Sequence, residues 1–182
     1  MNANISSRSK TIKQMAISGI CLALCMLLPF LTGQIPQIGN AISPMHIPVL
    51  ICGFACGSYY AAIIGIIAPL LRYALFGMPP VIPVGLAMCV ELAVYGAASG
   101  LLYRLLPKKI INIYITLIAA MLVGRIFWGI TSVVIFGVAN SQFTFKLFIT
   151  SAFVNALPGI IIHIALIPLV VIALKKANLL IE

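Results

Sequence analysis

Acidic side chains are almost missing: the 182 residues hold two, Glu91 and Glu182, against eleven lysines and arginines. Charge of either sign is scarce, at 7% of the chain, while 63% is hydrophobic and the mean hydropathy is +1.23. So few charged groups cannot cover the water-facing surface of a soluble domain, which makes the chain an all-α, polytopic membrane protein. The net charge of +9 does not indicate a nucleic-acid partner, because most of the cations sit at the ends of apolar segments, where topology demands them. The five cysteines, Cys21, Cys25, Cys52, Cys56 and Cys89, form no Cys-x-x-Cys pair and have no neighbouring histidine. They read as small packing residues, and neither a metal site nor a cofactor is expected. No Gly-x-x-x-x-Gly-Lys-Ser/Thr stretch occurs, so the chain has no phosphate loop of its own.

What is present is a series of apolar segments in one domain, 1–182. Segment one, about 12 to 32, is long enough to span; Arg8, Lys10 and Lys13 precede its apolar run from Met15 to Leu31, which lacks a convincing small-x-small cleavage site, so it is kept as a helix. Gly33 to Pro44 reads as an ordered loop, punctuated by Pro36, Gly39, Asn40 and Pro44. The run from His46 to Phe76 is too long for one span and short for two, and the cations arbitrate. With a break at Gly57-Ser58, giving helices of about 45–56 and 59–76, eight cations fall inside and only Arg72 and Lys146 outside; without it the bias vanishes. The remaining segments run over about 81–105, 110–138 and 146–174. Six helices with both termini cytoplasmic are therefore predicted.

Glu91 stands alone inside segment four, and an ionised side chain at mid-bilayer costs roughly 3 kcal/mol or more, so it persists where something neutralises or uses it. Arg125, inside segment five, is the obvious partner. At about 1.5 Å per residue, Glu91 lies roughly 15 Å, Arg125 roughly 20 Å, Asn155 roughly 13 Å and Arg72 roughly 7 Å below the outer ends of their segments. All four share the outer half. Helical spacing adds Tyr95 four residues after Glu91 and Trp128 three after Arg125. Charges beside aromatic surface suit a small, planar, polar ligand. The competing reading is a buried ion pair that only fixes helix register, although such pairs rarely stabilise much relative to apolar substitutes. Arg72 is equally compatible with snorkelling to the outer headgroups. His163, deeper, reads as a packing residue.

The whole chain resembles the substrate-binding S components of energy-coupling factor (ECF) transporters. The resemblance rests on six short helices, a structured first outer loop, the small-xxx-small ridge Gly19-Ile20-Cys21-Leu22-Ala23, and the stretches Ile42–Leu50, Leu70–Pro80 and Asn155–Gly159. The family's ridge usually begins with Ala where this chain has Gly19. The resemblance implies a multi-pass subunit of the cell membrane that captures a vitamin or related micronutrient from outside, with the first outer loop as a lid. A membrane T subunit, docked through Gly19 and Ala23, and two ATPase subunits would supply the energy. Pantothenate, a pyridoxine-like vitamin, a pyrimidine precursor and a queuosine precursor all remain open as ligands, and no enzyme activity is implied. Two other classes compete. One is a self-sufficient secondary transporter that couples protons through Glu91. The other is an intramembrane serine protease, since Ala97-Ala98-Ser99-Gly100 is similar to the rhomboid nucleophile motif and His163 falls at a depth like that of Ser99.

Overall fold

The computed structural model describes residues 2–32, 35, 39, 41–138 and 144–180, and among them every regular element is helical. α1 spans Asn2–Leu27 and tightens into a 3-10 turn at Leu28–Thr32; α2 spans His46–Cys56, α3 Ser58–Phe76 and α4 Leu86–Leu105. They are followed by α5, Ile110–Val138, the short α6, Phe145–Ile149, and α7, Leu157–Lys176. Among the described residues five stretches are long and apolar enough to cross a bilayer: Arg8–Leu31, Ser58–Phe76, Val81–Leu105, Ile110–Phe136 and Lys146–Lys176. α2 adds 11 residues of apolar helix.

The long apolar run from His46 to Phe76 is thus two helices. Gly57, at φ 89° and ψ 174°, ends α2 and opens α3 in a conformation that side chains with a Cβ rarely adopt. Prolines shape the other irregularities. Between Pro80 and α4, Val81–Gly85 is not regular helix, because Ile82 is extended at φ −115° and ψ 131°. The sixth apolar segment is broken as well: Thr150–Val154 forms a wide turn in which the Asn155 amide donates to the Thr150 carbonyl at 2.8 Å, and α7 starts afresh at Leu157. Pro158 explains the break, since it has no N–H to bond Val154 and its ring would clash with that carbonyl.

Packing follows small residues. α3 and α4 run antiparallel in such close contact that a methyl added at Gly65, Gly96 or Gly100 would overlap the facing backbone at Leu92–Ala93, Ala61 or Ser58. In a bilayer, where lipid is as apolar as leucine, close approach of this kind holds helices together. α1 and α2 are also antiparallel, through Gln14 donating to the Cys56 carbonyl at 3.1 Å, Ser18 beside the Cys52 thiol at 3.7 Å, and the Cys25 thiol donating to the Met45 carbonyl at 3.6 Å. Four of the five cysteines therefore lie at or near this seam, buried and free.

At one end of the bundle Lys13 of α1 donates to the Asn178 carbonyl at 2.6 Å, and Lys175 of α7 donates to the Lys108 carbonyl at 2.7 Å. The middle of α1 meets the chain just after α7, and the end of α7 meets the turn after α4. At the opposite end the Phe30 and Phe76 rings pack edge to face, 5.0 Å apart.

Candidate functional site

The opposite end holds a cavity of about 460 Å³, a size that suits a small ligand. Glu91, projecting from the second turn of α4, forms its polar floor. The side chain is only 2% exposed; Arg125 Nη1 of α5 lies 2.8 Å from its Oε1, and His46 Nε2, in the first turn of α2, lies 3.4 Å from its Oε2. The three groups come from three helices, so the ion pair ties together elements that the chain separates widely. Their polarity is not fully used. His46 Nδ1 and Arg125 Nε are buried and have no hydrogen-bond partner among the described residues. Buried polar atoms without partners are uncommon and costly, which makes them sites where a ligand can gain hydrogen bonds.

Arg72 enters from α3. It is buried rather than snorkelling: Nη1 donates to the Met26 carbonyl at 3.0 Å, and the guanidinium sits over the Phe30 and Phe76 rings at 5.5 and 5.3 Å. All three are neutral partners, so the positive charge at the cavity wall is not cancelled. Trp128, one turn beyond Arg125, supplies a flat apolar wall and stacks on Phe148 at 6.2 Å. Asn155 and Ser151 reach the cavity from the broken segment before α7, and Ser43 from the loop that precedes α2. That loop is pressed onto α7 at Gly159, where any Cβ would collide with the Ala41 and Ile42 carbonyls.

Of the six residues picked out as ligand candidates, Glu91, Arg125, Asn155, Trp128 and Arg72 line the cavity, and Tyr95 does not. Tyr95 is buried behind it, edge-on to the His46 ring at 5.3 Å and tight against Gly124 of α5. His46 was missed, because a lone histidine among prolines and aliphatic residues is hard to separate from packing. His163, expected well below the cavity, stacks on His46 at 6.1 Å, so it backs the site directly. Ser99 has other company: its hydroxyl donates to the Gly96 carbonyl at 3.2 Å and packs on Gly53. The two protease candidates are thus engaged with different partners. Gly19 and Ala23 are exposed on α1, and nothing in the chain comes within 4 Å of a Cβ built on Gly19.

A family model described as the substrate-specific component of ECF transporters matches residues 13–171. The chain belongs to this family. The match runs from the middle of α1 almost to the end of α7 and takes in every charged residue of the cavity. No curated protein and no solved structure matches the chain. As an ECF substrate-specific component it is a multi-pass membrane protein and the substrate-binding subunit of a transporter, and the cavity at Glu91 is the candidate for that task.

Proposed function

We propose that this ECF component captures a vitamin or related micronutrient at the outer face of the cell membrane, and that the ligand carries a carboxylate or comparable anion. The charge balance of the cavity supports this reading. Two arginines face one glutamate, and Arg125 already neutralises Glu91, so Arg72 is left with only neutral partners. A carboxylate can meet Arg72 and the idle Arg125 Nε, while hydroxyl or amide groups of the same molecule reach His46 Nδ1 and Asn155. The apolar body rests on Trp128 and Met88. Charge-assisted hydrogen bonds of this type are about twice as strong as neutral ones, which suits tight capture. Among the candidate ligands, pantothenate and carboxylated pyrimidine precursors meet the requirement; a neutral pyridoxine-like vitamin and an amine-bearing queuosine precursor do not.

The chain lacks a phosphate loop, so energy comes from partners: a membrane T subunit and two ATPase subunits. The exposed Gly19–Ala23 ridge, turned away from the rest of the bundle, is the surface proposed to dock the T subunit. The deciding experiment is mass spectrometry of the small molecule that copurifies with the detergent-extracted protein, followed by calorimetry with that compound. An anionic micronutrient whose affinity drops about tenfold or more in Arg72→Met is expected, the loss of one charge-assisted contact. A neutral or cationic ligand would refute the anion assignment.

A further inference from the structure

The chain has two histidines, His46 and His163, and both are buried, 3% and 1% exposed. A second cavity, of about 520 Å³, lies at the other end of the bundle, where α2 ends, α3 begins and α4 finishes, and it shares no lining residue with the Glu91 cavity. Neither histidine belongs to it. His46 lines the Glu91 cavity, whereas His163 lines neither cavity and meets the site through the His46 ring. The capture reading gives His163 no task.

The His46 ring is held from three directions. Its Nε2 lies 3.4 Å from Glu91 Oε2 of α4. Tyr95, one turn further along α4, meets it edge-on, with the ring centres 5.3 Å apart and the planes at 63°. The Tyr95 ring fills a notch that α5 leaves at Gly124, where any Cβ would overlap it. His163 of α7 covers the face of His46: the planes differ by only 22° and the ring centres are 6.1 Å apart, within the range of stacked aromatic pairs. α7 is itself pressed against the chain before α2 at Gly159, one turn ahead of His163, so the stacking face is fixed in place.

These contacts decide which ring nitrogen carries hydrogen. An ionised carboxylate only accepts hydrogen bonds, and Glu91 is paired with the Arg125 guanidinium at 2.8 Å, so the imidazole atom that faces it, Nε2, is the donor. A doubly protonated His46 would set two cations against one buried carboxylate, which burial disfavours. Nδ1 is then the lone-pair nitrogen, an acceptor, and it is buried with no hydrogen-bond partner among the described residues. Rotation of the ring about its Cβ–Cγ bond would bring an edge against His163, so the stack keeps Nε2 on Glu91. We propose that His163 is a positioning residue for ligand capture: its stack holds His46 so that Nδ1 offers an acceptor to the cavity, and the site therefore selects, among anions, those that carry a hydroxyl or N–H donor. The inference rests on the capture reading. A buried acceptor left unpaired is costly, so an anion without such a donor is rejected.

The test is nitrogen-15 NMR of the full chain in nanodiscs with labelled histidine; two histidines give four ring-nitrogen resonances, and His163→Phe identifies those of His46. In wild type the His46 pair should be one protonated Nε2 and one unprotonated Nδ1. His163→Phe keeps a stacking ring and should preserve that pattern, whereas His163→Leu should average the two tautomers. Should His163→Leu fail to fold, His163→Met, unbranched and adaptable in cores, removes the ring equally well. The second readout is the amount of small molecule that copurifies, followed by mass spectrometry: about a tenfold loss is expected in His163→Leu, and wild-type amounts in His163→Phe. A protonated Nδ1 in wild type, or an unchanged His46 pattern in His163→Leu, would overturn the proposal. So would a copurifying anion that has neither a hydroxyl nor an N–H group. An empty Arg72→Met beside a full His163→Leu would sink this inference and leave the anion reading standing; a full Arg72→Met beside an empty His163→Leu would do the reverse.

Discussion

The ion pair at the cavity floor allows a test that separates binding from architecture. Arg125→Gln alone leaves Glu91, 2% exposed, with only the His46 ring, its Nε2 at 3.4 Å, in place of the guanidinium. Removing one partner of a buried pair costs about 3–5 kcal/mol, because the remaining charge is stranded away from water. Glu91→Gln strands Arg125 less severely, since that side chain is 11% exposed and more water reaches it. In Glu91→Gln/Arg125→Gln neither charge remains, and replacing both members of such a pair is often neutral for stability. The expected pattern is therefore a large loss of thermal stability in Arg125→Gln, a smaller one in Glu91→Gln, and recovery in the double variant. Detergent-extracted protein is measured by thermal unfolding and by the amount of copurifying small molecule. A binding role predicts that the stable double variant comes out empty, with at least about a tenfold reduction in bound ligand, equivalent to about 1.4 kcal/mol. If the double variant is stable and still carries wild-type amounts, the reasoning is refuted and the pair serves helix register alone.

Three further outcomes are expected. A reporter fused after Glu182 should be cytoplasmic; an alkaline phosphatase fusion active outside the cell would show that the assigned orientation is wrong. Gly19→Leu/Ala23→Leu should bind ligand normally in isolation but fail to assemble or to support ATP-dependent uptake, because the bulk falls on an exposed ridge; wild-type transport in proteoliposomes with the partner subunits would remove that ridge from the docking surface. Pro158→Ala should restore an amide that can bond Val154 and let helix run through Asn155. Ligand affinity, followed by calorimetry, should then fall by about tenfold, the value of one hydrogen bond to a charged or buried partner, and an unchanged affinity would show that the break does not position Asn155.

The meeting of Glu91 with Arg125 was legible because only one acid lies within the apolar segments, so its partner had to be a cation at similar depth. The division of the His46–Phe76 run was legible through its consequence for cation sidedness, and the structure supplies the local cause in the backbone of Gly57. Less visible was anything that depends on the direction a side chain takes from its helix. Tyr95 follows Glu91 by one turn, yet four residues do not close a full number of turns, and the ring swings behind the cavity onto His46 and Gly124. Arg72 could be recognised as polar, but a carbonyl and two phenyl rings as its partners are contacts between separate segments that no spacing encodes. The interruption before α7 had a signal in Pro158, which a reading based on hydropathy alone passes over, since proline scarcely lowers the average of so apolar a stretch.

α2 begins at one cavity and ends at the other: His46 lines the first, and Gly53, Phe54 and Cys56 line the second. Its 11 residues measure about 16 Å, roughly half the hydrocarbon thickness of a bilayer. Between the cavities the helix offers Val49, Leu50 and Cys52, each with no exposed surface. The two cavities are therefore separated along α2 by fully buried aliphatic and sulfur-bearing side chains. The separation of the two cavities depends on the tightness of these few contacts, and shaving Leu50 to alanine would open space between them before it touched any residue that lines the ligand cavity.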